Sequence, residues 1–551
     1  MVDELGKTKY IFVTGGVMSG LGKGITAASL GKILGARGFV VSMQKCDPYL
    51  NTDAGTLNPA EHGEVFVTKD GGETDLDLGH YERFIDRELT KASSTMNGEV
   101  FASVFAAERK GKFLGKTVQI IPHITNEIQR KIIEAGKNSQ IHIVEIGGTV
   151  GDYESMANME AIRQFKRRVG TANVLYVHLV FVPYLGASKE LKTKPAQNSV
   201  RDLREVGIQA DVLCVRSDHE LSKSAIEKLS MYCDVNNEAI VSLPTAKTVY
   251  EVPLRMEESG IGDYIVKTLE LPKRTAKLSD WYGLVDRIKN SQDSIKIGVI
   301  AKYLSHEDTY MSVCEAIRAA GWYHNLQIEI KWINAEKLEA STDELADVDG
   351  VVVPGGFGNR GTEGKIAAAQ YSRENKVPYL GLCLGMQIAV IEFARNVAGL
   401  SGAHSTELDP DTKYPVIDIM ADQVDVDLGG TMRLGDYPAV LNKNSRAFLA
   451  YGETKIVERH RHRFEFNNSY RERLEACGLV LSGLSPDEKL VEIVELLDHP
   501  FYIASQFHPE FLSRPNRPHP LFRDFIGAAK HFAKPKQATI INTEGVRGGK
   551  A

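Results

Sequence analysis

"PYLGLCLGMQIAV", residues 378–390, places one cysteine between two glycines at the end of an apolar run. Read as local structure, it is a buried strand turning sharply into a helix, with Cys383 at the bend. The spacing Gly381-x-Cys383-x-Gly385 copies the nucleophile elbow, whose tight turn carries its nucleophile at the apex. The flanking glycines are expected to make the turn and leave room for a substrate. Free cysteine is also a common core residue. The elbow therefore signals chemistry only if a base, an orienting acid and an oxyanion site exist elsewhere in the chain.

The second half of the chain supplies all three. "YIASQFHPEF" (502–511) ends a strand with His508 and Glu510 two residues apart. Period-2 geometry would send both to one side, or a turn at Pro509 would bring them together. Such a histidine can take the thiol proton while the glutamate orients the imidazole. "DGVVVPGGFGNRG" ends another strand at Gly355 and Gly356, whose N–H groups are one candidate oxyanion donor. The N–H of Leu384, just after the nucleophile, is the other. This set supports acyl transfer through a thioester. The basic cluster "VERHRHRFEF" (457–466) reads either as a solvated charged face or as an arginine that recognises a carboxylate. Glu407 could then meet a substrate ammonium, and free glutamine carries both charges.

At 551 residues the chain is too long for one core, so two large domains are expected. Hydrophobic content of 43% and charged content of 25% are those of an ordinary soluble protein. A net charge of −6 provides no basic field for nucleic acid. The six cysteines are scattered, without CxxC or metal spacing, which suits a reducing cytosol. The N-terminus enters a strand-like run at once, leaving no room for a signal peptide. No apolar run approaches the roughly 20 residues that span a membrane. The expectation is a cytoplasmic protein with neither nucleic acid nor membrane as partner.

Short β-rich runs alternate with helical stretches through the first half, from "YIFVTGG" to "ADVLCVRS", implying a parallel sheet covered by helices. A second strand–helix series begins at "SIKIGVIAKY". The expected domains are 1–271 and 294–533, joined by a polar, partly helical linker at 272–293 and followed by a flexible tail at 534–551.

"VTGGVMSGLGKGI" (13–25) follows a strand and opens a helix, a place where backbone N–H groups and the helix dipole hold an anion. Lys23 adds a charge suited to phosphates. Walker A reads G-x4-G-K-[ST], whereas here Val17 stands at the first glycine and Gly24 follows the lysine. No hydroxyl sits beside Lys23 to take a metal, so carboxylates elsewhere must do so. Asp75 and Asp77 would share one side of an extended backbone. Glu145 closes the apolar strand "IHIVEIGG", where a charge needs a partner: magnesium or a salt bridge.

These stretches, with "DPYLNTDAGTLNPAEHGEVFVTKDGGETDLDLGHYERF", "IPHITNEI", "KTKPAQ" and "LGGTMRLG", resemble the CTP synthase family over about residues 8–533. The resemblance implies an α/β fold of two domains. The first is a P-loop-type amidoligase with a parallel sheet; the second is a class I glutamine amidotransferase of flavodoxin-like type. It implies ATP-dependent amination of UTP at C4 to CTP, the last step of de novo CTP synthesis. Ammonia would come from glutamine through a Cys383 thioester and pass internally to a phosphorylated UTP. By the same resemblance Gly20, Leu21, Gly22, Lys23, Gly24, Ile25 and Asp77 lie on ATP, and Asp77 and Glu145 hold magnesium. Lys45 is a second phosphate-side lysine. Ser19, Asp152, Tyr153, Glu154, Lys192, Thr193, Lys194, Pro195, Ala196, Gln197 and Lys228 belong to the UTP/CTP sites. Gly356, Leu384, Gly385, Met386, Gln387, Glu407 and Arg463 match the glutamine-binding positions. GTP as allosteric activator, CTP as feedback inhibitor, a homotetramer and filaments are implied as well. "MADQVDVD" (420–427) stands where some relatives carry a longer insertion. Two other readings compete. Another glutamine-dependent ligase, such as a cobyrinic acid amide synthase, is disfavoured by "KTKPAQ" and "GHYERF". A non-catalytic nucleotide-switch or filament protein is disfavoured by the complete Cys383, His508, Glu510 set.

Overall fold

Apolar runs separated by helices close into one parallel sheet in the first half of the chain. A computed structural model describes residues 8–302, 307–419 and 432–547. Its seven-stranded sheet runs, edge to edge, Ile240–Pro244, Val212–Ser217, Val174–Phe181, Lys9–Gly15, Ile141–Ile146, Val41–Asp47 and Ser94–Met96, all parallel. The strand Ile141–Ile146 is buried at every position, Glu145 included. Near-continuous burial is what a parallel sheet covered on both faces requires.

A nine-stranded sheet organises the second half, in the order Leu326–Asn334, Asp293–Ala301, Gly350–Val353, Tyr379–Leu382, Tyr502–Ser505, Val491–Glu495, Val480–Leu484, Arg433–Leu441 and Lys455–His462. The first five strands are parallel and the rest pair antiparallel. Two apolar cores lie against this sheet. The helix Leu384–Asn396 is buried from Leu384 through Ala394. At about 1.5–3 kcal/mol for each large apolar side chain, Ile388, Val390 and Ile391 fix the helix start firmly.

The chain divides into two compact units, Met1–Leu57 with Glu73–Val285, and Asn58–Gly72 with Asp286–Ala551. The boundary thus falls inside the segment read as a linker, whose helix Ser279–Asn290 buries Trp281, Leu284 and Val285. Trp281 Nε1 donates to Tyr250 O at 2.8 Å. Residues 58–72, read as part of the first domain, belong instead to the second unit. Glu64 accepts from the N–H of Ser312 at 2.8 Å, Arg459 Nη1 donates to Val67 O at 3.1 Å, and the Phe66 and Phe511 rings lie 5.0 Å apart. Such long-range pairing leaves no periodic signal in the sequence.

The last helix runs Pro520–Arg547, so the stretch read as a flexible tail from 534 continues it through Arg547. Residues 548–551 and the segment "MADQVDVD" lie outside the described residues. Among the described residues no helix is long and apolar enough to cross a membrane.

Candidate active sites

Cys383 sits between the strand Tyr379–Leu382 and the helix Leu384–Asn396 with φ 52° and ψ −102°. A side-chain-bearing residue is costly there and persists only where its surroundings enforce it. Its N–H donates to Ser505 O at 2.7 Å. The glycines on either side serve close packing, a correction to the turn-making role read from the sequence. A Cβ on Gly381 would lie 2.6 Å from Gly385 O, and one on Gly385 would lie 2.1 Å from Val353 O.

His508 Nδ1 donates to Glu510 Oε1 at 2.7 Å. The 3₁₀ turn Pro509–Leu512 brings the two together, so the turn and not the extended strand sets this pair. Burial alone would lower the His508 pKa. The Glu510 carboxylate and the charge on Cys383 outweigh it and lift the imidazole to about 10. Its Nε2 stops short of a hydrogen bond. Gly355 fits between the two groups only because it lacks a side chain: a Cβ there would lie 2.8 Å from His508 Cε1 and 3.6 Å from Cys383 Cβ.

Cys383 is 6% exposed and opens between two cavities. One of about 470 Å³ is bounded by Gly356, Leu384, Gln387, Glu407, Arg461 and Arg463. The Glu407 carboxyl is pushed up by burial, against the pull of Lys302 and Arg463. Acidic and basic groups thus share one cavity with the thiol. Met386 is fully buried in the core and lines neither cavity. The other cavity, about 160 Å³, is lined by Cys383, His508 and Glu510 together with Pro59, Val65 and Val313. The cluster "VERHRHRFEF" is not a solvated face. Lys455–His462 is a strand in which Arg459, His460 and His462 are buried, while Arg461 and Arg463 face the larger cavity.

In the first unit the turn 16–22 joins the strand Lys9–Gly15 to the helix Lys23–Ala36, with positive φ at Val17, Gly20 and Gly22. Ser19 and Gly20 are exposed and Leu21 is buried; Ile25 lies in the helix's first turn. Lys23 Nζ donates to Gly148 O at 2.8 Å. A Cβ on Gly24 would lie 2.0 Å from Asp77 Oδ1, so the place of the Walker A hydroxyl is filled by a carboxylate from another segment. Asp75 and Asp77 do not lie on an extended strand. Asp77 opens the helix Asp77–Ile85, and its N–H donates to Asp75 Oδ1 at 2.9 Å.

Both carboxylates converge on Lys45, at 2.7 Å and 2.6 Å. Asp47 lies 3.6 Å from the same ammonium, and its second oxygen is buried without a hydrogen-bond partner. Glu145 accepts from the Tyr81 hydroxyl, and burial together with the Asp77 charge pushes its carboxyl up to about 8. Among the described residues no three His, Cys, Asp or Glu side chains are grouped to hold a metal by themselves. Asp77 and Glu145 are two hard oxygen donors, and magnesium is commonly held by one or two carboxylates plus phosphate oxygens. The orphaned Asp47 oxygen marks the same pocket as short of positive charge. The donor set fits magnesium.

Comparison with known sequences matches each half of the chain to a family. Residues 9–271 match the family described as "CTP synthase N-terminus", and residues 306–528 match "Glutamine amidotransferase class-I". A CTP synthase of Carboxydothermus hydrogenoformans is 57% identical over 95% of this chain and 98% of its own length. One from Bacillus pumilus is 54% identical over 96% of this chain and 100% of its own. The chain belongs to the CTP synthase family. A solved glutaminase domain of Trypanosoma brucei CTPS with bound acivicin is 38% identical, covering 43% of this chain and 94% of that one, with a TM-score of 0.41.

"KTKPAQ" and residues 152–154, which also carry the CTP synthase resemblance, fall within the first unit. Lys192 pairs with Glu190 at 2.5 Å, and Lys194 opens the helix Lys194–Glu205 with Pro195 in its first turn. Gln197 Nε2 donates to Thr193 Oγ1 at 3.1 Å, and Ala196 is buried. This helix touches the turn 16–22, since a Cβ on Gly16 would lie 1.7 Å from Ser199 Oγ. Asp152 Oδ2 accepts from the N–H of Thr149 at 2.9 Å, and Tyr153 is 94% exposed beside Glu154. Lys228, on the helix Lys223–Cys233, is exposed and bears electrostatically on Glu190. Two further residues escaped the sequence reading. Lys302 closes the apolar strand Asp293–Ala301, a position that could have flagged it. Lys365, in "EGKIAAA", looks like any surface helix lysine but is 1% exposed.

Proposed function

We propose that the protein makes CTP from UTP, ATP and glutamine. The observation that carries this reading is one chain holding both a Cys383–His508–Glu510 site and a Lys23/Lys45/Asp77/Glu145 phosphate site. In the glutaminase half, Glu407 and Arg463 hold the ammonium and carboxylate of glutamine beside Gly356, Leu384, Gly385, Met386 and Gln387, with Met386 acting from the core. The Cys383 sulfur bonds to the amide carbon while the Gly356 and Leu384 N–H groups take the developing oxyanion. The C–N bond then breaks, His508 gives its proton to the departing nitrogen, and water cleaves the thioester to glutamate. Glu510 keeps the imidazole in register and stabilises it while it carries the proton.

In the first half the uracil C4 oxygen is a poor leaving group, so it is first phosphorylated by ATP. Gly20–Ile25 and Lys45 cradle the phosphates, with Lys23 on the transferring group. Asp77 and Glu145 would hold magnesium, which when bound supplies charge neutralisation on the phosphates. Ammonia then displaces phosphate at C4. Ser19, Lys192–Gln197 and Lys228 contact UTP. Asp152–Glu154 belong to a CTP site overlapping it at the triphosphate, a route to feedback inhibition.

On the same reading GTP activates the enzyme, it works in the cytoplasm as a homotetramer that can form filaments, and ammonia travels internally. The exposed apolar side chains of Phe105, Leu114, Ile120 and Ile121 support a subunit contact. The test is product analysis with UTP, ATP, magnesium and glutamine. CTP, ADP, phosphate and glutamate should appear in equal amounts. Turnover of ATP and glutamine without amination of UTP would refute the reading.

A further inference from the structure

Two lysines without a place in the scheme above converge on the segment that supplies the oxyanion N–H. Lys302 is 9% exposed and directs Nζ at Phe357 O, 2.5 Å away, and at Gly358 O. Arg360 Nη2 donates to Lys302 O at 3.1 Å. Lys365 approaches from the core side. It lies in the first turn of the helix Thr362–Asn375, with Nζ 3.7 Å from where a Cβ on Gly356 would be. Burial lowers the pKa of its ammonium to about 7; Lys302 adds to that and Cys383 opposes it.

Nothing in ordinary folding energetics favours Lys365. A buried ammonium without a carboxylate is costly, and the N-terminal end of a helix repels cations. A glycine-rich segment also has the most conformations available to it, and oxyanion donors work only when fixed beforehand. The two lysines answer both points at once. We propose that Lys302 and Lys365 act as positioning residues that clamp the Gly355–Gly358 loop. Lys302 fixes its peptides through two carbonyls, and Lys365 sets a positive charge behind the Gly356 N–H, where negative charge develops on sulfur and oxygen. The inference rests on reading Cys383 as the nucleophile.

Lys365→Met and Lys302→Met test it, with glutamine hydrolysis and thermal unfolding measured on the full-length protein. Lys365→Met should lower kcat roughly 10- to 100-fold, with a smaller change in KM, because one preorganised charge near the oxyanion is lost. It should leave Tm equal to or above wild type, because an unpaired buried cation is gone. Lys302→Met should lower kcat by a similar factor. Wild-type kcat in either variant overturns the clamp. A lowered Tm accompanying the loss in Lys365→Met also overturns it, since the lysine would then be a packing residue. Cys383→Ser, measured alongside, separates the two claims. Full glutaminase activity there defeats the nucleophile reading itself, whereas its loss with normal lysine variants defeats only the clamp.

Discussion

Cys383 and Lys45 stand at the carboxyl ends of parallel strands in different sheets, yet the sites around them are organised in opposite ways. Around Cys383 the parts are already set. The thiol is held on a strained backbone, His508 is bonded to Glu510, and Lys365 lies buried with no carboxylate among the described residues to neutralise it. Around Lys45 the charges are only partly compensated: one ammonium takes up Asp75 and Asp77, with Asp47 close by. A site that forms a covalent bond needs its groups fixed before substrate arrives. A site that receives polyanions and a cation can hold an excess of carboxylates around one ammonium until then, at a cost in burial. The comparison implies that Lys45 exchanges carboxylates for phosphate when nucleotide and magnesium bind.

The largest expected effect lies on the carboxylate-rich side. Lys23→Ala should abolish CTP formation from glutamine and from ammonium salts alike, because phosphorylation of UTP precedes either. Full ammonia-driven synthesis in that variant would remove Lys23 from the phosphate site. A smaller but more specific effect is expected from Gly24→Ser, which restores the Walker A hydroxyl. The new Cβ would fall 2.0 Å from Asp77 Oδ1, so Asp77 must move. Displacements near 1 Å can cost about 10²-fold, and ammonia-driven turnover should drop at least tenfold. Turnover within twofold of wild type would show that Asp77 is not needed where it lies.

On the preset side the effect is gentler and depends on pH. The folded His508 is lifted to about 10 from an ordinary 6.5, so the fold binds its proton more tightly than the unfolded chain. That stabilisation is complete below pH 6.5 and is lost as pH rises through about 10. Glu510→Gln removes part of it. The Tm gap between wild type and Glu510→Gln should therefore be wide at pH 6 and narrow toward pH 10. A gap that stays constant would mean the pair carries no excess proton affinity.

The sequence was most legible where function sits on regular alternation. The strands ending at Gly15, Ile146, Leu382 and Ser505 are apolar runs closed by glycine or by polar groups, and each lies where the sequence places a strand. Convergence that depends on distant segments was not legible. Nothing in the spacing of Asp75 and Asp77 shows that they meet Lys45 through a helix start, or that Gly24 is glycine because Asp77 occupies its side. The segment 58–72 pairs with residues more than two hundred positions away. The basic run 457–466 looked solvated because its charges are partnered by segments elsewhere in the chain, Asp436 with Arg459 at 3.4 Å and His519 with Glu458 at 2.9 Å among them. Lys365 left no trace at all, since a helix lysine reads as exposed unless the packing is known.

The division of labour between the two sites can be measured in one comparison. Wild type and Cys383→Ala are assayed for CTP formation with glutamine and, separately, with ammonium chloride at alkaline pH. The proposed function requires Cys383→Ala to lose glutamine-driven synthesis by on the order of 10³-fold or more while its ammonia-driven rate stays near wild type. Loss of both rates in a folded protein, or survival of the glutamine-driven rate, would contradict it.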